Sequence, residues 1–142
     1  SLRERFSKAR ETINPNIMDK DYVMQIADTI RQQLLATTPR NVIWSWGALH
    51  GFFATEYKGM ATLMFKVNGR LFKGDVLISY NELDYYEIYL KDASGIRLAH
   101  EEVYFDQLGD IIDETIERGT DAKEYEAFCE NEHAKLMRGE IG

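Results

Sequence analysis

Hydrophobic and polar residues alternate along three successive segments in the middle of the chain. These segments are Met60–Val67, Arg70–Tyr80 and Tyr85–Lys91. Alternation with a period of two residues is typical of β-strands that bury one face. Asn68 and Gly69 join the first two segments, and both tolerate the positive φ that a two-residue type I′ hairpin turn requires. The pattern therefore predicts an antiparallel β-meander.

The two-residue turn fixes which residues face each other across the first hairpin. It places Phe65 opposite Phe72, and the same face continues through Val76 and Ile78. We predict that this face forms the core. Apolar residues of the third strand stay on it only if the loop after Tyr80 has an odd number of residues. We therefore expect a loop of about three or five residues there, or a β-bulge.

The opposite face of the meander carries more apolar and aromatic side chains than a face in water needs. Its apolar members are Met64, Leu71, Leu77, Tyr85 and Tyr89. We expect something to cover this face. The candidates are the N-terminal arm, a C-terminal helix, a second copy of the chain, or a ligand.

Helical spacing of apolar residues predicts helices before and after the meander. The first spans Asp19–Ala36, and a second spans Asp106–Arg118. A third, over Asp121–Arg138, begins with a capping signature in which Asp121 is followed by Glu124. Its apolar content is thin, so we expect it to dock by its first half only.

Three further segments are predicted to be strands: Asn41–Gly47, Phe52–Tyr57 and Ile96–His100. In the first of these, Trp44 and Trp46 would share one face. Two large rings on one face would belong to the core or to an interface, or they would stack on a flat ligand.

These elements predict an α+β fold. It consists of an antiparallel β-meander of four to five strands with the Asp19–Ala36 and Asp106–Arg118 helices packed on one face. A length of 142 residues suits a single domain with a real core. Within this domain, residues 1–16 are expected to form a basic N-terminal arm, and residues 120–142 a peripheral acidic C-terminal helix.

Charge is distributed unevenly along the chain, whose formal net charge is −7. Residues 1–10 carry four basic side chains and one acidic, whereas residues 101–142 carry 13 acidic and four basic. This argues against nucleic-acid binding, because phosphate attraction needs local positive charge. No apolar run approaches the roughly 20 residues of a membrane span. The single cysteine, Cys129, favours a cytoplasmic location.

Side chains that could carry chemistry are few. Glu130 and His133, or Cys129 and His133, have the spacing of two metal ligands on one helical face, but a structural zinc site needs four ligands. Cys129 could also act as a nucleophile with His50 or His100. The favoured interpretation is a solvated acidic helix with a packing thiol, which means no catalytic residue, no metal and no cofactor.

Several short segments carry a resemblance to known sequences. They are Trp46-Gly47, Tyr57-Lys58-Gly59-Met60, Lys73-Gly74, Tyr86-Glu87-Ile88-Tyr89-Leu90 and Glu102-Val103-Tyr104. In these segments and in the order of its elements, the chain resembles a small uncharacterised α+β protein family of Bacteroidetes genomes and mobile elements. The resemblance implies a role accessory to a mobile element and no known activity.

The sequence therefore favours a non-enzymatic binding or interaction protein with a protein partner or a second copy as its target. The side chains expected at the contact surface are Met64, Leu71, Leu77, Tyr85, Tyr89, Trp44 and Trp46. Two alternatives remain open. One is an acidic antagonist that imitates nucleic acid, using the carboxylates from Glu101 onward. The other is a small hydrolase or metal-dependent enzyme.

Overall fold

A computed structural model describes residues 19–48 and 51–137. Its helices are α1 (Lys20–Thr37), α2 (Arg40–Ser45), α3 (Leu108–Asp113) and α4 (Ala122–Met137). A short 3₁₀ turn (Phe105–Gln107) precedes α3, and a π-helical turn (Glu114–Arg118) follows it. The strands are β1 (Phe52–Tyr57), β2 (Met60–Asn68), β3 (Lys73–Tyr80), β4 (Tyr86–Asp92) and β5 (Gly95–Val103). They form one antiparallel sheet in the order β1-β2-β3-β4-β5, which confirms the α+β fold and the meander.

The core lies between one face of the sheet, here called the inner face, and the helices packed on it. Helix α1 contacts β1 and β2, and it also contacts the 3₁₀ turn and α3. Its apolar stripe of Ile26, Ile30 and Leu34 is completely buried, as are Ile112 and Ile116 of the second helical segment. The prediction that these helices share one face of the sheet is confirmed, because all five residues belong to a single apolar cluster.

The connection between β3 and β4 has the predicted length. Tyr80 pairs with Tyr86, and the five residues between them form the loop. Ile78 then pairs with Ile88, so both remain on the inner face. The alternation of apolar residues therefore carried enough information to predict that the number of residues in this loop is odd.

The turn between β2 and β3 is longer than predicted. Strand β2 ends at Asn68 and β3 begins at Lys73, so Phe65 pairs with Val76 and not with Phe72. The shift is an even number of residues. Each side chain therefore keeps its predicted face although its partner changes.

Contacts with the π-helical turn account for the longer connection. The Leu71 amide donates to the carbonyl of Ile116 at 2.8 Å, and the Arg70 amide donates to the Glu117 carboxylate at 2.7 Å. A Cβ on Gly69 would lie only 2.3 Å from the Ile116 carbonyl oxygen. The Leu71 bond satisfies the Ile116 carbonyl, which lies in the last turn of a helix and would otherwise lack a partner. These contacts outweigh the local preference of an Asn-Gly dipeptide for a two-residue turn.

The strand predicted over Asn41–Gly47 is wrong, because this segment forms helix α2. Pro39 precedes the helix with φ −58°, and its carbonyl accepts hydrogen bonds from the amides of Val42 and Ile43. Proline is already fixed in the φ that starts a helix, which favours this geometry. Six residues of alternation cannot distinguish a short buried helix from a strand.

The predicted cap of the last helix is confirmed, because the Asp121 carboxylate accepts a hydrogen bond from the Glu124 amide at 3.0 Å. The predicted basic arm, residues 1–16, lies outside the described residues. Within the described ranges, no helix has both the length and the apolar character needed to cross a membrane.

Candidate interaction surface

The centre of the outer face of the sheet is closed by side chains of the sheet itself. The rings of Tyr57 on β1 and Tyr89 on β4 meet at 4.7 Å, above the two strands between them. On those strands, Thr62 and Ser79 are completely buried and share a hydrogen bond of 2.7 Å. The Lys58 ammonium lies 5.4–5.5 Å from both ring centres, where the π-faces attract a cation.

The seven side chains expected at a contact surface do not form one surface. Trp46 is completely buried against Phe65, and its indole N–H donates to Asp113 at 2.8 Å. Leu77 and Tyr89 are also buried. Met64 and Tyr85 are half-buried, whereas Leu71 and Trp44 are exposed. Trp46 is therefore a core residue, and Trp44 is a single exposed ring on α2.

Arg70 joins the β2–β3 turn to the π-helical turn and to α4. Its guanidinium contacts the carbonyls of Glu117 and Arg118, the carboxylate of Glu124, and the rings of Tyr125 and Phe128. Burial raises the pKa of the Glu117 carboxyl, with Arg70 acting in the opposite direction. Burial also raises the pKa of the Tyr125 phenol. The charges in this cluster have partners within the chain, so we assign the Arg70 cluster a structural role, in which it holds α4 against the β2–β3 turn.

The side chains considered for catalysis do not converge in the described residues. Cys129 is exposed, and His100 shares a hydrogen bond with Thr115 at 2.9 Å. His50 lies outside the described residues. Within residues 19–48 and 51–137, no group of three or more His, Cys, Asp or Glu side chains could hold a metal ion.

A different group of exposed apolar side chains lies at one corner of the sheet. The exposed fractions are 65% for Leu83 and 52% for both Tyr104 and Phe105. Tyr85 is half-buried, and its ring meets that of Tyr104 edge-to-face at 5.2 Å. Leu83 and Phe105 neighbour this pair along the chain. We call these four residues the aromatic corner.

The loop that carries Leu83 and Tyr85 is held in one conformation by Asn81. The Asn81 side-chain oxygen accepts hydrogen bonds from the amides of Leu83 and Tyr85 at 3.0 and 3.1 Å. The Tyr80 hydroxyl donates to the Asp84 carboxylate at 2.7 Å, and Asp84 adopts a left-handed φ of 67°. Leu83 is therefore presented to solvent by a loop whose shape is already fixed, and a fixed shape lowers the entropy cost of binding.

Strand β5 reaches the corner through an irregular register. Ile88 pairs with His100, but Tyr86 pairs with Val103, so β5 contains an extra residue at this point. Glu102, in the same stretch, has a φ of 55°. Bulges of this kind redirect side chains, and they occur often beside functional sites. Tyr104 follows directly and begins the 3₁₀ turn, with its amide bonded to the Gln107 side chain at 3.1 Å.

The two chain segments that carry the aromatic corner are strongly acidic. Residues 81–85 and 101–107 contain no basic residue and five acidic ones: Glu82, Asp84, Glu101, Glu102 and Asp106. Hydrogen bonding of the Tyr85 hydroxyl with Tyr104 favours the protonated phenol and raises the pKa of Tyr85, and the charges of Glu102 and Asp84 add to this effect. The Lys58 side chain shares a cleft with Glu82, but its ammonium lies over Tyr57 and Tyr89.

Sequence reasoning placed Tyr85 at a contact surface but missed Leu83, Tyr104 and Phe105. The available signal was two adjacent aromatic residues directly after a strand, together with a lone leucine between acids. Nothing in the alternation showed that β4 and β5 would bring these segments together. No protein-family model, curated protein or solved structure matches this chain.

Proposed function

We propose that this chain is a non-enzymatic interaction protein and that it binds a protein partner through the aromatic corner. The observation that carries the proposal is the exposure of Leu83, Tyr104 and Phe105 beside the Tyr85 ring. Single exposed apolar side chains are ordinary, whereas several at one corner, two of them with rings in contact, are typical of a contact surface. The resemblance found in the sequence would make this protein accessory to a mobile element, and that role stays a prediction.

The rigid support of the corner favours the same function. Apolar side chains that form the centre of an interface contribute most when they are held in place before binding. Asn81 fixes the loop of Leu83, and the 3₁₀ turn fixes the backbone of Tyr104. A group that is merely tolerated in water would not need this support.

The test is affinity capture from an extract of the source cells with two variants of the full chain. The Tyr104→Ser, Phe105→Ser double variant removes two members of the corner, and Trp44→Ser removes a ring elsewhere that is even more exposed. We expect a protein that the wild type and the Trp44 variant retain and that the double variant loses. Equal retention by all three would contradict the proposal. The captured protein, once purified, should bind the wild type saturably.

A further inference from the structure

The geometry points to an arginine-rich segment of the partner protein as the occupant of the aromatic corner. This inference rests on the proposed function and adds the chemistry of the bound segment. Its first support is charge, because the two segments of the corner carry five acidic residues and no basic one. Complementary charge across an interface steers association and excludes partners of the wrong sign.

The aromatic rings provide the second support. The π-face of an exposed Tyr or Phe attracts a cation that lies within about 6 Å of its centre. The described part of the chain already uses this contact elsewhere, with Lys58 over Tyr57 and Tyr89, with Arg70 over two rings of α4 and with Arg97 over Phe72. At the corner, by contrast, Tyr104 and Phe105 remain half exposed.

Arginine fits the combination of rings and carboxylates better than lysine does. Its planar guanidinium stacks on aromatic faces and pairs with a carboxylate through two parallel hydrogen bonds. The charges of Glu102 and Asp84 act on the Tyr85 phenol, whose ring contacts that of Tyr104 at 5.2 Å, so the corner offers a guanidinium both carboxylates and rings. The exposed leucine at position 83 would contact an apolar residue beside the arginine.

Two other occupants are disfavoured by the same charges. A second copy related by a two-fold axis through the corner would bring Glu102 and Asp106 against the same carboxylates of its partner, and like charges at close range repel. A nucleic acid would bring phosphates to an acidic surface, with no cation in the corner segments to neutralise them.

The experiment measures the fluorescence anisotropy of a short labelled peptide of arginine and leucine, titrated with the full chain. A matched peptide carries citrulline in place of arginine, which keeps the shape and removes the charge. We expect saturable binding of the arginine peptide that weakens with added salt. The citrulline peptide should bind at least about tenfold more weakly, since each charged contact at an aromatic surface contributes about threefold or more. Equal binding of the two peptides would overturn the inference.

Two pairs of variants locate the binding site. Tyr104→Ser with Phe105→Ser should weaken binding about tenfold or more, as the loss of central interface rings does. Glu102→Gln with Asp106→Asn removes charge alone and should weaken it severalfold. The control for charge is Glu126→Gln with Glu130→Gln, on an exposed part of α4, which should leave the affinity unchanged. An equal loss of affinity in this control would overturn the inference, because binding would then depend on the total charge of the protein and not on the corner.

The outcomes separate this inference from the proposed function. If the arginine peptide fails to bind while the capture experiment yields a partner that depends on Tyr104 and Phe105, the inference is overturned and the proposed function stands. If the arginine peptide fails to bind and capture shows no dependence on Tyr104 and Phe105, both the inference and the proposed function are overturned.

Discussion

At the scale of single residues, tertiary contacts decide where local preference and structure differ. Asn68 and Gly69 favour a two-residue turn, yet the chain forms a longer one because Leu71 and Arg70 bond to the π-helical turn. Gly69 is needed for its missing Cβ more than for a positive φ. The sequence pattern could predict which residues face the core, but it could not predict the contact of Gly69 with a segment that lies far away along the chain.

Replacing Gly69 by alanine should destabilise the fold. The new Cβ would lie 2.3 Å from the Ile116 carbonyl oxygen, so the turn or the π-helical turn must move. Overpacking of this kind typically costs about 1–3 kcal/mol. The measurement is the free energy of unfolding in urea.

The matched control for this experiment is Gly59→Asn. A Cβ at Gly59 has open space around it, and asparagine tolerates the φ of 75° at this position. The Gly59→Asn substitution should lower the free energy of unfolding by less than about 1 kcal/mol. A Gly69→Ala protein as stable as the wild type would contradict the steric explanation.

At the scale of elements, periodicity predicted most helices and strands, but it could not decide the type of every short segment. The stripe of α1 and the odd length of the loop after β3 follow from periodicity, and the strand predicted over Phe52–Tyr57 is confirmed as β1. The segment before Trp46 is too short for periodicity to decide, and it forms a helix because Pro39 starts one. The aromatic corner needed the pairing of β4 with β5, which brings the Tyr85 and Tyr104 rings together.

The loop that carries Leu83 should open when Asn81 is replaced by alanine. Two hydrogen bonds to the amides of Leu83 and Tyr85 would be lost, and each contributes about 1 kcal/mol. Hydrogen exchange of these two amides should become at least about tenfold faster. Asn81→Asp keeps the accepting oxygen but loses the hydrogen bond that the Asn81 amide donates to Glu87 at 3.0 Å, so it should recover only part of the protection. Unchanged exchange in the alanine variant would show that the loop is held by other contacts.

At the scale of the whole molecule, the two faces of the sheet have different roles. The inner face and its helices form the core, and the outer face is closed at its centre by Tyr57, Tyr89 and Lys58. The sequence correctly indicated a second apolar face, but it did not indicate that side chains of this face would cover its own centre. Phe53 and Leu98 stay exposed on the strands at its two edges, and the aromatic corner lies where β4 and β5 meet the loop after β3.

The most direct test of the aromatic corner is site-specific photo-crosslinking. A photo-reactive phenylalanine analogue replaces Leu83 in one protein and Leu35, an exposed residue of α1, in another. Both proteins are irradiated with the captured partner, and the crosslinked peptides are identified by mass spectrometry. We expect a crosslink from position 83, to an arginine-rich segment of the partner, and none from position 35. Crosslinking from position 35 with none from position 83 would contradict the assignment of the corner as the contact surface.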